Sequence, residues 1–335
     1  MAKVYVIHEN DAWVEPLRAA FEEIGVPYAE WFLDQGTLDL GAPPPAGVFY
    51  NRMSASSHTR DHRYAAEYTG AVLAWLEAHG RRVVNNGRAL QLEISKVAQY
   101  AALSIHGIKT PHTMAAAGRG RIADAARRLS EIHQGAPFIT KHNRAGKGLG
   151  VRLFQTVAAL EEYVASDAFE APVDGITLVQ QYIQAPEPFI TRVEFVGGKF
   201  LYAVRVDTSQ GFELCPADAC QIDAPPLAEV CPAVAPSDKF QIVRDFKHPL
   251  IERWRAFLAA NDIGIAGIEF IVDDKGRPYT YDVNTNTNYN PDAEAKGGRA
   301  GTDASGMGAI ASYLGGLLRR EYPDAEKRTA EVVSA

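Results

Sequence analysis

The residues with the clearest chemistry lie in one hairpin, GIEFIVDDKGRPYTYDVNTNTNYN, Gly267 to Asn290. Two apolar strands flank a turn signal at Lys275–Gly276. A two-residue turn there pairs Asp274 with Arg277 and, counting outward, Glu269 with Asp282. Asn284 lies two residues further along and shares their face. Two carboxylates then meet side by side on a largely buried sheet. Like charges ~4 Å apart repel by about 1 kcal/mol in water and about 4 kcal/mol at an effective dielectric near 20. A divalent cation removes that conflict, and the hard oxygen ligands of Glu, Asp and Asn suit Mg²⁺ with phosphate oxygens completing its shell. A solvated face carrying unrelated polar residues is the alternative.

A second set is ITKHNRAGKGLGV, Ile139 to Val151. A strand ends in Lys141 and runs into a loop carrying Gly146, Lys147, Gly148 and Gly150. Backbone N–H groups of such a loop can close over phosphates while lysine supplies a point charge. Leu149 stands where a Walker A motif needs Ser or Thr, and no helix opens here as the dinucleotide fingerprint requires. Alone, the loop reads equally well as a plain turn. The third segment, LVQQYIQAPE (Leu178 to Glu187), takes an apolar strand into a polar connector. It could present backbone groups to a flat base and Glu187 to ribose hydroxyls, or simply link two domains.

Smaller features carry two readings each. Asn51, Arg52 and Ser54 follow a strand end, where an arginine can grip a substrate carboxylate bidentately; a solvated loop fits as well. Asn286, Asn288 and Asn290 alternate beyond Asn284. Turn capping explains some of them, and substrate contact would explain Asn286. His142 points to the strand face opposite Lys141 and reads as structural, with substrate contact as the lesser reading. Cys215, Cys220 and Cys231 have no zinc spacing and no nearer histidine than His248, so free thiols are expected.

These groups need a scaffold, and the first hundred residues alternate strand and helix. Strands are expected at Lys3–His8, Tyr28–Leu33, Gly47–Met53 and Arg82–Val84, with helices at Trp13–Ile24 and Ala65–His79. That βαβ pattern predicts a small, doubly wound parallel sheet whose ligands lie beyond the strand ends. A single helix is expected over Ala89–His106, then Ile122–His133 helical and Pro137–Lys141 extended. Strands Val151–Phe154 and Ile176–Ile183 bracket a helix near Val157–Ser166. A Gly197–Gly198 turn joins Thr191–Val196 to Lys199–Val206. Ser209–Pro236 reads as an irregular insertion, and helices follow at Pro249–Asn261 and Met307–Tyr322.

Composition narrows the class. The 335 residues carry 34 Lys and Arg against 41 Asp and Glu, a net charge of −7, with 47% hydrophobic residues. That excludes a disordered chain and a broadly basic nucleic-acid binder. No apolar run reaches the ~20 residues that span a bilayer, and no signal-peptide core follows the first strand. Three cysteines make a disulfide framework improbable. The expectation is a cytoplasmic protein with no membrane or nucleic-acid partner.

In this order, ISKVAQYAAL, PFITKHNRAGKGLGV, LVQQYI and the Glu269/Asp282/Asn284 set resemble the ATP-grasp superfamily, and within it the RimK-like α-L-glutamate ligases. The resemblance runs from about residue 48 to 290. It implies an α/β chain, α+β in its ATP-binding part: an N-terminal domain (1–107), a central subdomain with a glycine-rich lid (108–183), a C-terminal subdomain with the metal hairpin (184–322) and a tail (323–335). It implies ATP with Mg²⁺, or Mn²⁺ in its place. Lys96, Lys141, Gly146, Lys147 and Gly148 would hold phosphates, Gln180, Gln181, Tyr182 and Ile183 the adenine, and Glu187 the ribose. Glu269, Asp282 and Asn284 would ligate metal. Arg192 and Arg205 match positions that steady the transferring phosphoryl group, with Lys141 beside them. Ile190 stands where relatives often carry Asp, and FELCPADACQID (Phe212–Asp223) replaces an Arg/Asn/Gly-rich acceptor loop.

The implied activity is an ATP-dependent carboxylate–amine ligase working through an acyl phosphate on amino acids, a peptide or a protein terminus, in a homodimer or homotetramer. A phosphotransferase on the same site and a non-catalytic nucleotide-binding module are the rivals. The complete set of three metal ligands weighs against the second.

Overall fold

The computed structural model describes residues 1–146, 148, 150–209 and 239–323. The chain opens with β1 (Lys3–His8), α1 (Glu15–Glu23), β2 (Tyr28–Phe32), β3 (Gly47–Asn51), α2 (Ala65–Ala78) and β4 (Arg82–Val84). The strands form a four-stranded sheet in the order β2-β1-β3-β4, parallel throughout, as the βαβ pattern predicts. Both faces are covered, which is why β1 and β3 read as nearly unbroken apolar runs. Val4, Val6 and Val48 pack in a core with Leu17 and Phe21 of α1, whereas Tyr5, Ile7 and Phe49 pack with Leu73 and Leu76 of α2.

Two helices, α3 (Gly87–Glu93) and α4 (Lys96–Ile105), replace the single helix expected over 89–106. The break falls at Ser95. Its Oγ accepts from the Ala98 N–H at 3.3 Å, while Asn143 accepts from the Lys96 N–H with its carbonyl (3.2 Å) and from the Val97 N–H with Oδ1 (2.9 Å). A distant asparagine thus satisfies the orphan donors of a new helix start.

Next come β5 (Thr113–Ala117), α5 (Ile122–Ile132), β6 (Phe138–His142), β7 (Arg152–Phe154), α6 (Val157–Ala165) and β8 (Ile176–Gln181). They make an antiparallel sheet, β5-β8-β6-β7, with α5 and α6 packed on its apolar residues. β5 was not expected, because TMAAA carries little β-branched signal.

The last part holds β9 (Phe189–Val196), β10 (Lys199–Asp207), β11 (Phe240–Val243), α7 (Leu250–Ala260), β12 (Ile265–Val272), β13 (Pro278–Asn284), α8 (Pro291–Lys296) and α9 (Gly306–Glu321). Its sheet runs β11-β10-β9-β12-β13. Gly197 and Gly198, at φ 60° and 74°, make the tight β9–β10 turn that favours two glycines. The short β11 and α8 lack a periodic signal and were not expected.

Packing crosses the domain boundaries expected from the sequence. Tyr100 and Leu103 of α4 share a core with Trp254 and Phe257 of α7 and with β9 and β12. Ile310 and Leu314 of α9 join a core containing both Val4 of the first sheet and Val196 and Val204 of the last. Among the described residues no helix is long and apolar enough to cross a membrane.

The hairpin turn is wider than expected. Val272 pairs with Pro278, and the Asp273 Oδ1 accepts from the N–H groups of Lys275 (3.0 Å) and Arg277 (2.8 Å). This shifts the ladder by one residue. A bulge at Tyr281 shifts it back, so Glu269 stands opposite Asp282 and Gly267 opposite Asn284.

Candidate active site

The central strand pair sets an acidic row beside a buried arginine. Glu269 lies opposite Asp282 on one side and Arg192 on the other. Arg192 donates from Nη1 to Glu269 Oε1 (3.3 Å), from Nε to Glu194 Oε1 (2.5 Å) and from Nη2 to Thr287 Oγ1. Asn284 Nδ2 donates to Glu269 Oε1 at 3.4 Å. A Cβ at Gly267 would sit 2.6 Å from Arg192 Nη2 and 2.8 Å from Glu194 Oε2, so only glycine leaves room for this pair. Burial pushes the Glu269 and Glu194 carboxyls above their usual range, and Arg192 opposes the rise at both.

Two lysines approach from other elements. Lys96, the first residue of α4, donates to Asp282 Oδ1 at 2.7 Å. Burial disfavours its ammonium, but the carboxylates of Asp282, Glu93 and Glu269 together outweigh that and raise its pKa. Lys141, on β6, donates to the Tyr100 hydroxyl at 2.5 Å. Burial, and then the charge of Lys96, lower its pKa to about 7. Gln180 Nε2 donates to the same hydroxyl (2.9 Å) and to Thr113 Oγ1 (2.7 Å). The Gln180 side chain therefore braces the lysine's neighbour, while its strand leads into the connector.

These groups line a cavity of about 530 Å³. Lys96, Lys141, Glu269, Asp282 and Asn284 face it with Arg192, and residues Gln180 to Pro188 form a continuous wall. Ala145, Gly146 and Gly148 contribute the glycine-rich loop, and Trp13, Ser54 and Ser56 come from the first domain. The size and the mix of apolar wall with a few convergent charges suit a small-molecule site.

Some expected residues do not join. Arg205 stands opposite Thr191 rather than on Arg192's face, and it does not line the cavity. An unbroken ladder from the Gly197–Gly198 turn would set Arg205 opposite Ile190; a one-residue bulge at Leu201 turns it over. It pairs with Glu187 and lies over the Phe189 ring, 3.5 Å from its centroid. Glu187 itself lines the cavity. Asn51 is internal: Nδ2 donates to the Asn85 carbonyl and Oδ1 accepts from the Met53 N–H, both at 2.9 Å. Arg52 is also internal, bonded to protein acceptors and not facing the cavity. Asn286 does line the cavity, whereas Asn290 caps α8. His142, read as structural, bonds the Glu170 carbonyl (3.1 Å) yet reaches the cavity wall. Lys147 and the Phe212–Asp223 segment with its cysteines lie outside the described residues.

Two buried carboxylates escaped the sequence reading. Glu93 Oε2 accepts from the Thr285 N–H (2.6 Å) and Oγ1 (3.0 Å), and Glu194 Oε2 accepts from Thr287 Oγ1 (3.0 Å). Their signal was the period of two in NTNTN beyond the hairpin. The asparagines at 284, 286 and 288 face the cavity while Thr285 and Thr287 point inward, and an inward hydroxyl needs a buried partner.

The donor set fits a hard divalent cation. Glu269, Asp282 and Asn284 can each turn a side-chain oxygen toward it, and Lys96 and Lys141 line the same cavity. Among the described residues, His8, Asp11 and Glu30 are also close enough for a cation. There, Arg18 already bonds Glu30 (2.6 Å) and Asp11 (3.0 Å), offsetting one of the two carboxylate charges without metal.

No family model matches the chain. Over 144 residues, 43% of the chain, it is 30% identical to proteins of Serratia proteamaculans and Vibrio vulnificus named "Probable alpha-L-glutamate ligase". The match spans 46% of each, about half the length of these curated relatives. Among solved structures it is similar to D-cycloserine synthetase DcsG (TM-score 0.63, 16% identity, covering 94% of this chain and 99% of that one). It is likewise similar to a RimK domain ATP-grasp protein of Sphaerobacter thermophilus (0.62, 19%, 93% and 99%). The ATP-grasp ligase PsnB with a minimal precursor is a third (0.62, 16%, 94% and 99%). The chain has the ATP-grasp fold, preceded by a parallel-sheet domain.

Proposed function

We propose that this protein is an ATP- and Mg²⁺-dependent carboxylate–amine ligase. The observation that carries the reading is the convergence of Glu269, Asp282 and Asn284 with Lys96, Lys141 and Arg192 around one cavity. A substrate carboxylate oxygen would attack the γ-phosphorus of ATP, the bond to the β,γ-bridging oxygen would break, and ADP would leave. An amine nitrogen would then attack the acyl carbon, lose a proton and expel phosphate, forming an amide. Bound Mg²⁺ would neutralise phosphate charge. Lys96 and Lys141 would orient the triphosphate, and Arg192 would face the transferring group. Gln181, Tyr182 and Ile183 would receive the adenine and Glu187 the ribose. Closure of the Gly146–Gly148 loop would keep water from an acyl phosphate that it would hydrolyse. Free amino acids or a peptide terminus in the cytoplasm are the substrates we favour, with the protein acting as a homodimer or homotetramer.

The test is incubation with ATP, Mg²⁺ and an amino-acid panel, reading nucleotide, phosphate and product mass. ADP, phosphate and a condensed product lighter by one water are expected. AMP with pyrophosphate would sink the acyl-phosphate route, and a stable phosphorylated product would make the protein a phosphotransferase.

A further inference from the structure

We propose that Arg52 is a positioning residue that turns Asn286 and Asn288 into a carboxylate-binding wall of the cavity. Arg52 Nε donates to Asn286 Oδ1 (3.3 Å) and Nη2 to Asn288 Oδ1 (2.8 Å). A guanidinium has donors and no acceptor, so each amide must turn its oxygen to Arg52. What each asparagine has left for the cavity, which both line, is its NH₂ group. The wall therefore offers donors, the complement of a carboxylate.

Charge adds to geometry. Arg52 is 2% exposed, and its other donors go to the carbonyls of Trp13 (2.8 Å) and Thr287 (3.2 Å). All four acceptors are neutral, and among the described residues no carboxylate pairs with it. A buried cation with neutral acceptors leaves positive potential behind the two amides, where an anion in the cavity would feel it. The segment that carries them, just past the end of β13, is held at Thr285 by Glu93 and at Thr287 by Glu194. The first domain thus shapes substrate recognition from behind.

This rests on the ligase reading only in taking the bound carboxylate to be a substrate's. The test is calorimetric titration of the full chain, saturated with Mg²⁺ and ADP, with free L-amino acids, glutarate and their matched carboxamides. At least one carboxylate should bind about tenfold or more tighter than its carboxamide. Asn288→Asp keeps an oxygen toward Arg52 and replaces the NH₂ with a charged acceptor. It should abolish or reverse that preference without lowering the thermal midpoint or the affinity for ADP. Arg52→Met should weaken the preference as well; if it fails to fold, Asn288→Asp decides. No carboxylate preference in the wild type, or a preference retained in Asn288→Asp, overturns the proposal. A bound carboxylate that is never joined to an amine would leave it standing and overturn the ligase reading, and amide formation without the preference would do the reverse.

Discussion

Lys96 and Asp282, 186 residues apart in sequence, meet at 2.7 Å and join the start of α4 to the β12–β13 hairpin. In the proposed ligase, the contact would couple a phosphate-binding cation to a carboxylate that would also ligate metal. Asp282→Ala removes a ligand and strands a buried ammonium. Turnover should fall by about 100-fold or more, while far-ultraviolet circular dichroism stays native. Near-normal turnover in that variant would remove Asp282 from the metal site.

Lys141 should make both stability and nucleotide binding depend on pH. Its pKa is lowered from 10.5 to about 7 by burial and by Lys96. Between those values the unfolded chain binds the extra proton and the native state does not, so stability from this group rises with pH across that window. Its penalty is fully present below about 7. Denaturant melts should show the slope in wild type and lose it in Lys141→Met. A triphosphate beside the amine favours its charged form, so ATP binding near pH 8 should take up protons. Titration in buffers of different ionisation heat measures this, and equal heats in all buffers would refute it.

Arg192 and Arg205 should part company. Arg192 is buried between Glu194 and Glu269, so Arg192→Ala leaves two uncompensated carboxylates and should cost about 3–5 kcal/mol of stability along with activity. The Arg205–Glu187 pair is exposed. Arg205→Ala should change KM for ATP by no more than about fivefold, the scale of a surface ion pair, and leave kcat unchanged. A collapse of kcat in Arg205→Ala would place that guanidinium in the chemistry after all.

These two arginines mark where the sequence was readable. Glu269 and Asp282 could be paired from the hairpin alone because a wider turn and a bulge at Tyr281 cancel. The neighbouring hairpin has one bulge, at Leu201, with nothing to cancel it, and every residue beyond changes face. Bulges leave little trace in composition, so facing is legible only while the ladder is regular. Arg52 was readable as a substrate-gripping or solvated-loop arginine and not as internal, because three of its four acceptors lie 234 to 236 residues away. Glu93 and Glu194 were hidden for the same reason, their threonines belonging to a distant segment. The parallel sheet of the first domain was legible throughout, since its signal is local periodicity.

Asn143 carries the last prediction. It sits two residues after Lys141, accepts from the Val97 N–H at 2.9 Å and donates to Asp174 Oδ2 at 2.7 Å. It therefore ties the root of the glycine-rich loop to the helix that begins with Lys96. Asn143→Ala removes a helix cap worth about 1 kcal/mol and leaves Asp174 short of a donor. If the tie positions Lys96, KM for ATP should rise several-fold while kcat changes less. Asn143→Asp separates the two contacts, because it keeps the acceptor for Val97 but sets a carboxylate against Asp174. It should preserve the KM of the wild type and lose stability at high pH. If Asn143→Ala binds ATP as tightly as wild type, the cap is local packing and Lys96 is placed by Asp282 alone.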